Sequence, residues 1–253
     1  MEQFKMQAAG RVVAVSALFS ATREFCADYL CDGEPDFSVT ITPQDIVFEQ
    51  KKVDQENEME GLPPHVFEDH MLERTALQRK IAEKLFERDT LLFHGSVIAV
   101  GDEAFLFTAK SGTGKSTHVS YWRVVFGKDA KTINDDKPFL RVTPEGVRVY
   151  GSPWNGKHGL GCNTDAPLKA ICVLERGDDN VIQRISAAEV VPMLLQQSNR
   201  PMQPKYLPQY MQLLDQISGK VAFYRLACNM SPQAAVVAYE AMSGKKIGEM
   251  KDE

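Results

Sequence analysis

The sequence predicts a mixed α/β chain built on one strand–glycine loop–helix unit, with a smaller N-terminal β/α lobe ahead of it. Three observations carry this. Apolar, strand-like runs at 91–100 and 103–110 flank Gly101-Asp102, a hairpin turn signal. The second run enters "AKSGTGKST" directly, and "KSTHVSYWRVVF" continues as a helix. Beyond it, short apolar runs and helical patterns occur together as far as residue 243.

Taken in order, strands are predicted at 11–18, 37–42 and 45–50, the last two separated by the turn signal "TPQD". Residues 51–63 are polar, end in Gly-Leu-Pro-Pro and read as a loop. A helix follows at about 65–88, with Phe67, Met71, Ala76, Leu77, Ile81, Leu85 and Phe86 near one face. After the loop helix come strands near 139–143, 146–150, 168–175 and 181–185, and helices at 186–198, 205–218 and 231–243 around a strand at 221–227. The expected organisation is a lobe at 1–88 of no assigned role, a nucleotide-binding domain at 89–245 and a polar tail at 246–253.

Composition narrows the function classes. Of 253 residues, 43% are hydrophobic and 25% charged, as in an ordinary globular protein. The net charge of −5 argues against a nucleic-acid partner. No apolar run approaches the length that spans a bilayer, so no membrane partner is expected. "RVVAVSALFSA" reads as a buried strand rather than a signal segment. Cysteines 26, 31, 162, 172 and 228 are odd in number and form no CxxC pair. They read as reduced thiols in a cytoplasmic protein.

The glycine loop carries the chemistry. Strand, "SGTGKST", helix is the context a phosphate-binding loop requires. Glycines let backbone N–H groups converge on phosphate oxygens, and the helix N-terminus adds partial positive charge. Ser111, Gly112, Thr113, Gly114, Lys115, Ser116 and Thr117 form the expected nucleotide site, with Lys115 on the outer phosphates and Ser116 on Mg²⁺. Ala109 stands where the usual pattern has its first glycine, a position that often needs unusual backbone angles.

Downstream, "TINDDKPFL" places Asp135 and Asp136 side by side at the end of a short strand. Phosphoryl transfer uses one carboxylate for the metal and often another for the acceptor's proton. In an extended segment the two would point in different directions. The same residues are good turn formers. His94 interrupts an apolar run, and Lys157 and His158 lie in the glycine-rich loop "GSPWNGKHGLG", candidates for contact with acceptor or phosphate.

Together these pieces resemble the HPr kinase/phosphorylase catalytic domain and its HPr-kinase-like relatives, which share a nucleotide-binding core with the phosphoenolpyruvate carboxykinases. The resemblance runs from about 91 to 174, with a weaker extension through "YRLACNMSPQAAVVAYEAM". Its carriers are His94-Gly95, the Ser-Gly-x-Gly-Lys-Ser loop, Asp135-Asp136, and Gly159-Leu160-Gly161 followed by "PLKAICVL". The resemblance implies ATP and Mg²⁺ as cofactors, Asp135 as catalytic base with His94 beside it, and Asp136 with Ser116 at the metal. It implies a kinase acting on a hydroxyl, above all a serine of a peptide or protein. Thr117 stands where HPr kinases have Glu, and His158, after Lys157, where they have Arg before Gly-Leu-Gly. HPr itself and phosphorolysis are therefore not carried over. The alternatives are a kinase of a small hydroxylated metabolite and a nucleotide-binding scaffold with little catalysis. No oligomeric state follows.

Overall fold

The computed structural model describes residues 1–110, 112–157, 159–201 and 203–247. The expected site residues Ser111 and His158, and most of the expected tail, lie outside the described residues. The chain forms two compact units, Met1–Arg88 and Asp89–Glu253.

In the first unit, β1 (Glu2–Ala8) and β2 (Arg11–Ala17) form an antiparallel hairpin. Its turn is Ala9-Gly10, both with positive φ, 50° and 71°. β1 is absent from the sequence reading because polar Gln3, Lys5 and Gln7 alternate with only a few apolar side chains. β3 (Phe37–Thr40) pairs with β2 in parallel. The short helix α1 (Ser20–Phe25) is also new. Its capping carboxylate is distant in sequence: fully buried Glu73 accepts the Leu18 and Phe19 N–H groups at 2.5 and 3.2 Å and the Thr22 hydroxyl at 2.5 Å.

The strand expected at 45–50 and the loop expected at 51–63 are wrong. Residues 45–60 belong to one helix, α2 (Pro43–Glu60), and only 61–63 of the expected loop lie outside it. "TPQD" starts a helix rather than turning a hairpin. Thr42 is the N-cap, Pro43 fits the first turn where no N–H is needed, and the Thr42 N–H donates to Asp45 Oδ2 at 2.9 Å. Gly61, at φ 68°, ends the helix. α2 carries almost no apolar stripe; only Ile46 and Glu49 are buried. It is held to α3 (Asp69–Phe86) by charge: Arg79 reaches Glu49 at 2.6 Å and Asp45 at 3.2 Å, and Lys80 reaches Asp45 at 2.6 Å. Of the apolar face expected at 65–88, Ala76, Leu77, Ile81, Leu85 and Phe86 are buried on α3, Met71 is exposed, and Phe67 lies half-buried ahead of the helix.

The second unit is built on one branching sheet. Its strands are β4 (Thr90–Leu92), β5 (Ser96–Val100), β6 (Glu103–Thr108), β7 (Ala130–Asn134), β8 (Phe139–Thr143), β9 (Gly146–Tyr150), β10 (Asp165–Arg176), β11 (Val181–Arg184) and β12 (Ala222–Cys228). Among the described residues the order is β4-β8-β9-β10-β6-β5-β7, with β12 on the other side of β10 and β11 beyond it. The branch is β10: its first residues pair antiparallel with β9, and its remainder lies parallel between β6 and β12. Helices α4 (Lys115–Phe126), α5 (Ala187–Gln197), α6 (Leu207–Lys220) and α7 (Gln233–Ser243) complete the unit.

The continuous strand expected at 91–100 is broken at His94 and Gly95. There the backbone leaves the ladder: His94 N–H donates to the Gln197 carbonyl at 2.7 Å and Gly95 N–H to the Asp136 carbonyl at 3.0 Å. The break brings His94 to the end of the sheet where β6 gives way to the glycine loop.

α4 is seated by Trp122. Fully buried, it packs on Phe105 and Phe107 of β6 at 5.1 and 5.2 Å and on Phe126 and Tyr239 at 5.4 and 5.9 Å between ring centres. Its indole N–H donates to His118 Nε2 at 3.0 Å. Burial lowers the His118 pKa to about 4. The unfolded chain takes up a proton near pH 6.5 that folded His118 refuses until about pH 4. The stability from this group is therefore complete above about pH 6.5 and is lost as pH falls through that window, by about 2 kcal/mol at pH 5. The urea midpoint should drop between pH 7 and 5, and His118→Gln should drop less. Equal drops in both proteins would remove His118 as the source.

Candidate functional site

The loop between β6 and α4 has the geometry its glycines suggest. Gly112 and Gly114 hold φ of 75° and 115°, and among the described residues no atom beyond their chain neighbours lies within 4 Å of a Cβ placed on either. Glycine is required there by backbone angle, and the space beside it is free for a ligand. The strain expected at Ala109 is absent: its φ is not positive, and its methyl is buried in the core beneath α4. Lys115 opens α4 and turns its ammonium back over the loop, donating to the Ala109 carbonyl at 3.3 Å. Burial lowers the Lys115 pKa, Asp136 opposes the shift and Lys137 adds to it. Ser116 is exposed and Thr117 half-buried on the first turn of the helix.

The turn after β7 sets the two carboxylates. Asn134 is the organiser, and the sequence reading passed over it. Its Oδ1 accepts the N–H groups of Asp136 at 2.9 Å and Lys137 at 2.7 Å. Its Nδ2 donates to the Ser152 carbonyl and hydroxyl, each at 3.1 Å. One buried amide thereby ties the acidic turn to the start of the glycine-rich loop. The signal was an Asx residue ahead of a turn, visible in "INDDKP" but without an evident partner.

Asp135 and Asp136 face different surroundings. Asp135 is 6% exposed, and its Oδ1 accepts the Gly156 N–H at 2.5 Å. A Cβ on Gly156 would stand 3.0 Å from Asp135 Oδ2, so glycine lets the loop close on this carboxylate. The Asp136 side chain is 35% exposed, with His94 Nε2 at 3.3 Å and Lys137 Nζ at 4.0 Å from its Oδ1. The histidine contact is thus with Asp136, whereas the resemblance implies Asp135. Burial lowers the pKa of His94, Lys137 and Lys115 lower it further, and Asp136 opposes them. When neutral, its imidazole presents one N–H and one lone pair. Gly95 follows it because a Cβ there would meet the Phe107 carbonyl at 2.9 Å.

The structure therefore gathers Lys115, Asp136 and His94 and adds Lys137, which the sequence reading did not single out. Trp154 anchors the neighbouring loop, 8% exposed and edge-on to Phe139 at 6.4 Å. Lys157 is exposed in that loop. Gly161 lies so close to Asn155 that a Cβ would stand 1.9 Å from its Oδ1.

The donor set fits the groups the sequence suggested. Mg²⁺ is commonly held by one or two carboxylates together with substrate phosphates, rather than by a full protein cage. Ser116 offers an exposed hydroxyl and Asp136 a carboxylate 35% exposed, ligand types of that kind. Among the described residues no three His, Cys, Asp or Glu side chains are grouped to hold a metal by themselves. No helix among them is long and apolar enough to cross a membrane.

No protein-family model matches the chain, and no curated protein matches it. Among solved structures, it is similar to the HPr(Ser) kinase/phosphatase from Coxiella burnetii. The identity is 10% over 61% of this chain and 99% of that chain, with a TM-score of 0.36. At that distance the likeness carries no argument about this site.

Proposed function

We propose that this protein is an ATP- and Mg²⁺-dependent phosphotransferase acting on a hydroxyl, foremost a serine of a peptide or protein. The observation that carries the reading is the convergence of Lys115, at the start of the helix that follows the glycine loop, with Asp136 and His94. Phosphoryl transfer asks little covalent chemistry of the protein; positioning and charge stabilisation dominate. Backbone N–H groups around Gly112 and Gly114 and the positive end of α4 would receive the phosphates. Lys115 would neutralise charge on the group in transfer. In the roles the resemblance implies, Ser116 and Asp136 would hold Mg²⁺, which when bound neutralises the phosphates further.

The acceptor proton needs a carboxylate that substrate can reach. The resemblance assigns that task to Asp135. Its burial and its bond to Gly156 favour a second assignment, in which Asp136 takes the proton, His94 orients it, and the metal is left to Ser116 and the phosphates. Asp135 then secures the loop that closes the site.

Labelled ATP with cell extract or serine-containing peptides should transfer label to an acceptor. Lys115→Ala should lower transfer at least about a hundredfold. Nucleotide binding with no transfer to any acceptor would sink the kinase reading and support the scaffold alternative. Transfer undiminished in Lys115→Ala would remove this loop as the site.

A further inference from the structure

β10 lies parallel to β6, and Val173 pairs with Thr108 where β6 ends. β10 continues to Arg176, so its last residues run beside the departing glycine loop. There Arg176 Nη2 donates to the Gly112 carbonyl at 2.8 Å, across 64 positions of sequence. The neighbouring Glu175 turns instead to β12, with Arg225 Nε at 3.1 Å from its Oε1. Of the two charged residues that end β10, one serves the sheet and the other serves the loop.

We propose that Arg176 is a positioning residue for the phosphate loop, a role that rests on the nucleotide site put forward above. The Gly112 carbonyl and the Thr113 N–H belong to one planar peptide unit and point in opposite directions. Holding the carbonyl therefore aims the N–H. Gly112, at φ 75°, has little intrinsic preference to hold that plane, and Thr113 N–H makes a long turn bond to the Lys110 carbonyl at 3.2 Å. The guanidinium supplies a second restraint on the same plane, from outside the loop on the carbonyl side, while Lys115 spans it to Ala109. A preset peptide plane binds phosphate without first being ordered, which raises affinity. Arg176 acts through the loop, so it should matter to any nucleotide whose β-phosphate the loop holds.

Two measurements on the full chain separate this proposal from the function reading. The first needs no nucleotide. Hydrogen exchange at the amides of 112–114 in the free protein should rise severalfold in Arg176→Gln while the melting temperature stays unchanged. Arg176→Lys should recover part of the protection, since one ammonium replaces one arm of the fork. Unchanged exchange in Arg176→Gln would overturn the proposal, whatever the protein binds. The second is titration with ADP and with ATP, where Arg176→Gln should weaken both by the same factor, about fivefold. A loss confined to ATP would overturn the positioning role and make Arg176 a ligand of the terminal phosphate. Wild-type protein that binds neither nucleotide, yet shows the exchange difference, would sink the function reading and leave the loop restraint standing.

Discussion

Asp136→Asn should lower phosphoryl transfer by about two to four orders of magnitude, the range over which a positioned general base contributes. Nucleotide affinity should stay within a few-fold. Asparagine keeps the shape of the side chain and removes its ability to take a proton. His94, 3.3 Å away, should stay where it is, because its backbone is tied to Gln197 rather than to the carboxylate. Asp135→Asn should behave differently. Its Oδ1 can still accept the Gly156 N–H, so the loop should keep its place and the rate should fall less. Measuring kcat and nucleotide Kd for both variants decides between the assignments. An inactive Asp135→Asn beside an active Asp136→Asn would return the base to Asp135, as the family resemblance implies.

Trp122→Ala should cost about 3–5 kcal/mol, the span for deleting a large buried aromatic side chain. Trp122 has no exposed surface and bridges α4 to Phe105, Phe107 and Tyr239. Its loss leaves a cavity under the helix whose N-terminus faces the glycine loop. It also strands His118 Nε2, which loses the indole N–H that donates to it at 3.0 Å. Urea unfolding measures the cost, and Trp122→Phe should recover much of it by refilling the space. A Trp122→Ala cost below about 1 kcal/mol would mean that the cluster relaxes into the gap and that Trp122 does not seat α4.

Local chemistry decides some features of this protein within a few residues. The hairpin at Gly101-Asp102, β8 and β9, and the step from β6 through glycines into α4 follow from alternation, turn residues and helical spacing in contiguous sequence. Nearness in the chain makes such patterns legible. The same local logic misleads when one signal has two uses. Thr-Pro-x-Asp marks a turn or a helix start, and at 42–45 the absence of an apolar stripe hid α2, whose anchors are Arg79 and Lys80 in another helix.

The site shows the same division. The glycines and lysine of the loop, the acidic pair and His94 stand out as residue types whose chemistry suits phosphate and proton transfer. Which of them meet is a matter of long-range pairing. Asp136 rather than Asp135 faces His94 because Asn134 fixes the turn and Gly156, 21 positions beyond Asp135, takes up its carboxylate. Arg176 reaches Gly112 only because β10 is parallel to β6 and outlasts it. Residue type and local spacing thus set what chemistry is available. Strand order and register, which depend on burying side chains far apart in the chain, decide which groups touch and which role each carboxylate is free to play.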